Sequence, residues 1–177
     1  MLAIHFESKL TEINGWTIVK IPKESSAKLP SRGMVMVKGK IKDSSFKTIL
    51  EPDGLRSHWF KIEDSILKAA NVKVGDYVRV EMEAIEDWME PEVPEDLQNS
   101  LNSNSQVLDL WEDITPAARW DWIRWIRATK NPETRNKRIE VAVSKMKSGK
   151  RRPCCFNRNM CTDMSICPSG LLKYPNQ

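Results

Sequence analysis

The sequence predicts an α+β protein, in which a six-stranded β-barrel with a short helix precedes a small α-helical domain. Three observations lead to this fold class. Short apolar runs alternate with turn residues through residues 1–85, as they do in half-buried strands. Residues 86–106 are acidic and rich in Pro, Asn and Ser, which predicts a linker with at most a short helix at 95–101. Apolar residues then recur at helical spacing in residues 107–150, before a cysteine-containing tail at 151–177.

Six segments of the first domain have the pattern of strands. Turn residues such as Asn14-Gly15 and Gly75-Asp76 separate them, because Gly and Asn or Asp supply the backbone conformations that tight turns need. Six short strands with little helix indicate a barrel or a sandwich. The predicted strands are Ile4–Leu10, Trp16–Ile21, Met34–Ile41, Ser45–Leu50, Ser57–Ile62 and Tyr77–Glu83.

A faint internal repeat runs through the same domain. Trp16 opens WTIVKIPKESSAKLPSRGMVMV and Trp59 opens WFKIEDSILKAANVKVGDYVRV. Each copy gives a strand, a short helix-like connection, a glycine turn and a second strand. Duplicated units that cannot each bury a face alone commonly pair into one core.

The second domain carries two helix start signals. Thr115-Pro116 and Asn131-Pro132 each place a capping residue before a proline at the first helical position, and Gly149 is a stop signal. We predict an antiparallel pair of helices with 107–111 as a third packing element. Their apolar stripes contain Trp122, Ile123, Trp125 and Ile126 in the first helix, and Ile139, Ala142, Val143 and Met146 in the second.

The net charge of +4 conceals a strong segregation of charge along the chain. Residues 80–118 contain eleven acidic residues and no Lys or Arg, whereas residues 119–153 contain twelve basic and three acidic residues. Two interpretations are open: attraction between acidic and basic segments within the fold, or an anionic partner for the basic segment.

These residues resemble a known family. The segments GWTIVKIP, MVKGKI, FKTILEPDG and LKAANVKVGDYVRVEME are similar to the β-barrel domain that begins YdeI/OmpD-associated proteins. The segments VPEDLQNSL and ATKNPETRNKRI, with the helices around them, resemble the helical domain of the same proteins. The resemblance covers roughly residues 1–152, in the family's order and spacing.

The resemblance implies a barrel of the double-split type, related to the AbrB swapped-hairpin architecture, with one chain supplying both halves. It implies no catalytic residue, and it implies an association with protection against bacteriocins and membrane-acting peptides. AbrB-like barrels bind DNA with hairpins similar to VGDYVRV. A structural β-turn is nevertheless enough to account for the presence of Gly75 and Asp76 in this segment.

The basic segment supplies the candidate binding site for an anion. Arg135 and Arg138 lie one helical turn apart, a spacing that presents two guanidinium groups to a carboxylate or phosphate. The alternative is pairing with acidic residues of the chain itself, such as Glu112 or Asp113. The other candidate residues are Arg124, Arg127, Lys150, Arg151 and Arg152.

Two features bear on catalysis and cofactors. Only His5 and His58 could act as imidazole bases, and no nucleophile or phosphate-loop motif accompanies them, so we expect no enzyme. The tail cysteines allow a zinc site, free redox-sensitive thiols or disulfides, although their spacing is unusual for zinc. They are Cys154, Cys155, Cys161 and Cys167.

The leading hypothesis is a non-catalytic stress- or bacteriocin-protection-associated binding protein, which engages an anionic ligand or protein partner through its basic helices. A nucleic-acid-binding protein is the first alternative, and a thiol- or metal-dependent enzyme that uses the tail is the second. The sequence leaves the identity of the partner and the oligomeric state open. Without an export signal, an apolar span of membrane length, or cysteines in its body, the chain is expected to be cytoplasmic.

Overall fold

A computed structural model of the chain describes residues 2–174 and divides into two compact units. The first, which we call the sheet unit, comprises residues 2–87, 158–161 and 165–174. The second, the helical unit, comprises residues 88–157 and 162–164.

The sheet unit is built on one antiparallel sheet. Within the described residues its strands follow the order β1-β7-β4-β5-β6-β3-β2. The short helices α1 (Lys23–Ser26) and α2 (Asp64–Ala70) connect strands. The strands are β1 (Ile4–Lys9), β2 (Thr11–Ile13), β3 (Trp16–Lys20), β4 (Val35–Ile41), β5 (Ser44–Pro52), β6 (His58–Lys61) and β7 (Tyr77–Ala84).

The predicted closed barrel of six strands is wrong, although the α+β class is confirmed. The described strands number seven because the short strand β2, which the sequence analysis did not predict, follows β1 directly after Leu10. Leu10 gives both backbone hydrogen bonds to the turn at Gly75 and Asp76, donating to the Asp76 carbonyl and accepting from the Gly75 amide, each at 2.8 Å. The ladder therefore stops there, and β1 and β2 lie at opposite ends of the strand order. One residue joins these end strands, so the sheet must curl.

The internal repeat is present in the structure. β3, α1 and β4 form one strand–helix–strand unit, and β6, α2 and β7 form the other. The two copies pair strand by strand, since β3 lies antiparallel to β6 and β4 lies antiparallel to β7. The turn chemistry of the second copy is also as predicted: Gly75 has a φ of +95°, and Asp76 Oδ2 accepts from the Lys73 amide at 2.9 Å.

The inner face of the curled sheet buries the main apolar core. Gly39 is required in β4, because a Cβ there would lie 2.6 Å from Phe46 Cζ and against the Glu81 carbonyl. The buried residues of this core include Phe6, Leu10, Val19, Ile21, Val37, Ile41, Leu50, Phe60, Val80 and Met82.

Part of the predicted tail packs onto the sheet unit. Ile166, Cys167 and Leu172 are buried against Ile18 and Trp59 in a separate apolar cluster. The Leu172 amide donates to the Asp53 carbonyl at 2.9 Å, which attaches this segment to the loop after β5. The last residues of the tail, 175–177, lie outside the described part of the chain.

The helical unit contains four described helices: α3 (Glu95–Asn102), α4 (Ser105–Asp113), α5 (Pro116–Arg127) and α6 (Pro132–Lys147). The predicted start signals are confirmed. Thr115 Oγ1 accepts from the Ala118 amide at 3.2 Å, and Asn131 Oδ1 accepts from the Thr134 amide at 2.9 Å.

The structure places part of the predicted linker inside the helical core. Leu97 and Leu101 of α3 are fully buried among Val107, Trp111 and Trp122. One helical turn separates the two leucines, so α3 presents them on a single face to the other helices. In the part of the chain that the structure describes, no helix has the length and hydropathy to cross a membrane.

Candidate functional site

Arg135, the first arginine of the candidate anion site, is held inside the helical unit. Its Nε and Nη2 donate to the two carboxylate oxygens of Asp96 at 2.6 and 2.9 Å. This forked pair joins α6 to α3. The hydrogen bond and charge of Arg135 lower the pKa of the Asp96 carboxyl, and Asp96 raises the pKa of Arg135.

Arg119 makes a second forked pair in the same unit. Its Nε and Nη2 donate to the carboxylate of Glu90 at 2.9 and 2.6 Å. Its Nη1 donates to the carbonyls of Trp111 and Ile114, at the end of α4. The side chain therefore satisfies carbonyls that lack partners within the helix, where a cation is also favoured by the helix dipole.

Three more arginines of the candidate site make contacts within the helical unit. Arg151 Nη1 donates to Asp113 Oδ2 at 2.7 Å, and Arg152 Nη1 donates to Asp121 Oδ2 at 2.6 Å. Arg127 donates twice to Thr162 Oγ1, at 3.1 and 3.2 Å.

Arg124 is fully buried, and its guanidinium carbon lies 5.3 Å from the centroid of the Phe156 ring. A side chain with no exposed area is not positioned to meet a ligand at the surface. Lys150, in contrast, is exposed and makes no ion pair with the residues that the structure describes.

Arg138, unlike the arginines above, lines an open surface groove of about 470 Å³. Its Nη1 donates to the Trp125 carbonyl near the end of α5 at 2.7 Å, and its guanidinium lies 5.6 Å from the Trp125 ring centroid. Within residues 2–174, Nε and Nη2 of Arg138 make no hydrogen bond. The groove is lined by Trp125, Glu133, Thr134, Lys137, Arg138 and Val141.

The groove combines cations with an apolar wall. Lys137 is 74% exposed and pairs with Glu140 at 3.3 Å, one turn away on the same helix, which is a weak surface contact. Trp125, which is partly buried against the helical core, and Val141 supply the apolar side of the groove. The sequence predicted Arg138 but missed Lys137, although both lie in the segment ETRNKRI.

The two histidines are not brought together. His5 is exposed on β1, with its Nδ1 3.9 Å from Glu81. His58 is 1% exposed in the sheet unit. Its Nε2 donates to the Gly33 carbonyl at 2.7 Å, and its Nδ1 shares a hydrogen bond of 2.7 Å with the Ser26 hydroxyl. Both contacts give His58 a structural role in the core.

The four cysteines do not form one cluster. Cys161 and Cys167 are buried and joined by a disulfide, with their Cα atoms 5.8 Å apart. Cys154 and Cys155 are exposed and free, and the described residues contain no group of three or more side chains that could hold a metal ion.

The Cys154 sulfur contacts a cation. Lys145 Nζ donates to Cys154 Sγ at 2.7 Å, and the Cys155 thiol donates to the same sulfur at 3.7 Å. The hydrogen bond from Lys145, and then the one from Cys155, lower the pKa of the Cys154 thiol.

Two protein families match the chain in succession. The family described as bacteriocin-protection, YdeI or OmpD-associated matches residues 90–149. A domain of unknown function (DUF1905) matches residues 6–82. A search of curated proteins finds no significant match. The two matched ranges fall in the two structural units, in the order that the sequence resemblance predicts.

Proposed function

Because the chain belongs to the YdeI/OmpD-associated family, we propose that it is a non-catalytic binding protein of bacteriocin protection, which engages an anionic partner through its helical unit. The observation that carries the proposal is the groove between α5 and α6, where a guanidinium with unused donors lies beside an exposed lysine and a tryptophan ring.

The net charge of the groove favours an anion, because Lys137 and Arg138 outweigh the single carboxylate of Glu133. Arg138 keeps Nε and Nη2 available, and Lys137 is engaged by a single exposed carboxylate that a ligand can replace at little cost. A partner carboxylate could accept two hydrogen bonds from the guanidinium in the forked arrangement that arginine offers.

The apolar wall favours a partner that is more than a bare anion. Trp125 and Val141 offer a surface on which an aliphatic side chain can pack beside the charge. The groove therefore suits an acidic protein segment that alternates carboxylates with apolar side chains. Five arginines are not part of this proposal, because the contacts described above for them lie within the helical unit: Arg124, Arg127, Arg135, Arg151 and Arg152.

The proposal is tested by titrating the full chain, labelled with ¹⁵N, with an acetylated and amidated peptide of alternating Leu and Glu. We expect saturable shifts of the Trp125 indole and of α6 amides, and weaker binding at higher salt. Lys137→Glu should abolish binding, whereas Lys147→Glu on the same helix should not, since Lys147 lies outside the groove.

Two further arms decide between this function and the alternatives. A peptide of alternating Leu and Gln keeps the apolar side chains but has no charge, so weaker binding by this peptide shows that the carboxylates are needed. Mixed-sequence duplex DNA tests nucleic-acid binding, which has a steep salt dependence set by the number of phosphates contacted. Absence of saturable shifts in the groove, or equal binding by Lys137→Glu, contradicts the proposal.

The cellular role is tested separately. A bacteriocin-sensitive bacterial strain that produces the chain should survive bacteriocin exposure better than the same strain without it. Lys137→Glu should remove the protection at an unchanged protein level, and Lys147→Glu should retain it. If the Lys137→Glu variant still protects the strain, the groove is not the site through which the chain protects the cell.

A further inference from the structure

Two exposed thiols lie side by side on the helical unit. Cys154 and Cys155 follow the buried Pro153, and their sulfur atoms are 3.7 Å apart. The Cys155 thiol is the donor in this contact and the Cys154 sulfur the acceptor, so the two sulfurs are chemically unequal.

Lys145 increases that inequality. It lies in the last turn of α6, and its ammonium group donates to Cys154 Sγ at 2.7 Å but makes no hydrogen bond to Cys155 Sγ. An adjacent ammonium favours the thiolate, which is the nucleophilic form of cysteine. Neither the proposed groove nor the disulfide between Cys161 and Cys167 uses this pair.

We propose that Cys154 is a modification site that captures small-molecule disulfides, with Lys145 as the residue that activates its sulfur. The Cys154 thiolate attacks one sulfur of the disulfide, and a new S–S bond forms. The bond within the small molecule breaks, and its electron pair leaves with the second sulfur, which takes a proton from water. The disulfide itself is the oxidant, so the step needs no other reagent.

The other three cysteines are expected to react with the small-molecule disulfide more slowly than Cys154. Cys155 is also an exposed free thiol, but it lacks the hydrogen bond from Lys145. Cys161 and Cys167 are 2% and 0% exposed and already joined in a disulfide. The product is therefore a mixed disulfide on Cys154, formed faster than on Cys155.

The size of the rate advantage follows from two opposing effects. A lower thiol pKa raises the thiolate fraction at neutral pH but reduces the nucleophilicity of each thiolate. With a Brønsted coefficient of about 0.4–0.5, each tenfold gain in thiolate leaves a net gain of roughly threefold to fourfold. Above the ordinary pKa of a thiol, about 8.5, the gain in thiolate is lost and only the lower nucleophilicity of the Cys154 thiolate remains, so the order of the two rates should reverse.

The experiment uses the full chain after treatment with a chelator, and bis(2-hydroxyethyl) disulfide as an uncharged probe. Cys155→Ser isolates Cys154, and Cys154→Ser isolates Cys155. Mass spectrometry follows the mixed disulfide between about pH 6 and pH 10. We expect reaction at Cys154 to be faster than at Cys155 near neutral pH, by roughly threefold to fourfold for each tenfold gain in thiolate, and slower at high pH.

Variants of the lysine test the activating contact. In the Cys155→Ser background, Lys145→Met should remove the advantage at neutral pH, Lys145→Arg should restore part of it, and Lys147→Met should leave it unchanged. Equal rates for Cys154 and Cys155 at neutral pH, or a Lys145→Met variant that reacts as fast as its parent, would overturn the proposal.

Discussion

The forked pair between Arg135 and Asp96 gives the sharpest prediction for the helical unit. Asp96→Asn and Arg135→Gln each remove one partner, and the double variant completes a thermodynamic cycle that isolates their interaction. The side chains are 26% exposed for Arg135 and 41% exposed for Asp96, so solvent screens the pair. Its two short hydrogen bonds place it above an ordinary surface pair. We expect a coupling free energy of about 1–2 kcal/mol, between the values for exposed and buried pairs.

The assay is urea unfolding followed by circular dichroism at 222 nm, which reports on helices. Arg135 lowers the pKa of the folded Asp96 carboxyl, so the folded state releases that proton more readily than the unfolded chain. The stabilisation is therefore fully present above the pKa of an unfolded Asp, about 4. It is lost as the pH falls through the lower pKa of the folded state.

A coupling energy near zero at neutral pH would refute this reasoning. So would a coupling energy that persists unchanged when the carboxyl is protonated. Lys137→Gln is the matched control on the same helix, because its exposed contact with Glu140 should contribute less than about 0.5 kcal/mol.

Two further predictions concern the sheet unit. Gly39→Ala should lower the free energy of unfolding by about 1–3 kcal/mol, because its Cβ would press on Phe46 and the Glu81 carbonyl; urea unfolding measures the loss. His58→Ala should cost about 2–4 kcal/mol in the same assay, since it leaves a cavity and two unsatisfied buried groups, whereas exposed His5→Gln should change stability by less than about 0.5 kcal/mol. An unfolding free energy unchanged by either Gly39→Ala or His58→Ala would contradict its prediction.

Local patterns predicted most elements of the fold, and a distant contact decided the part that they missed. Thr115-Pro116 and Asn131-Pro132 mark helix starts because the capping oxygen lies three residues from the amide that it accepts from. The break at Leu10 depends on a turn at Gly75 and Asp76, more than sixty residues away in the sequence. No periodicity within the first strand reveals that partner.

For the segment before the helical domain, composition predicted a linker with at most a short helix at 95–101, and the structure has α3 there but also buries part of it. Its prolines and carboxylates suggested a linker, yet Leu97 and Leu101 have the spacing of one buried helical face. Two leucines provide too short an apolar pattern to outweigh the polar residues around them. The burial of Ile166 and Leu172 is harder to predict, because their partners Ile18 and Trp59 lie far away in the sequence.

The arrangement of charge in the helical unit determines which variants can test anion binding. Arg119, Arg135 and Arg151 meet carboxylates from the acidic segment, so Glu90, Asp96 and Asp113 already neutralise them. The acidic and basic segments of the sequence thus form ion pairs with each other within the helical unit. A loss of binding after Arg135→Gln would be ambiguous, because the same change weakens the attachment of α6 to α3. Lys137→Glu changes the charge of the groove without removing a buried contact, so its effect reports on the partner rather than on folding.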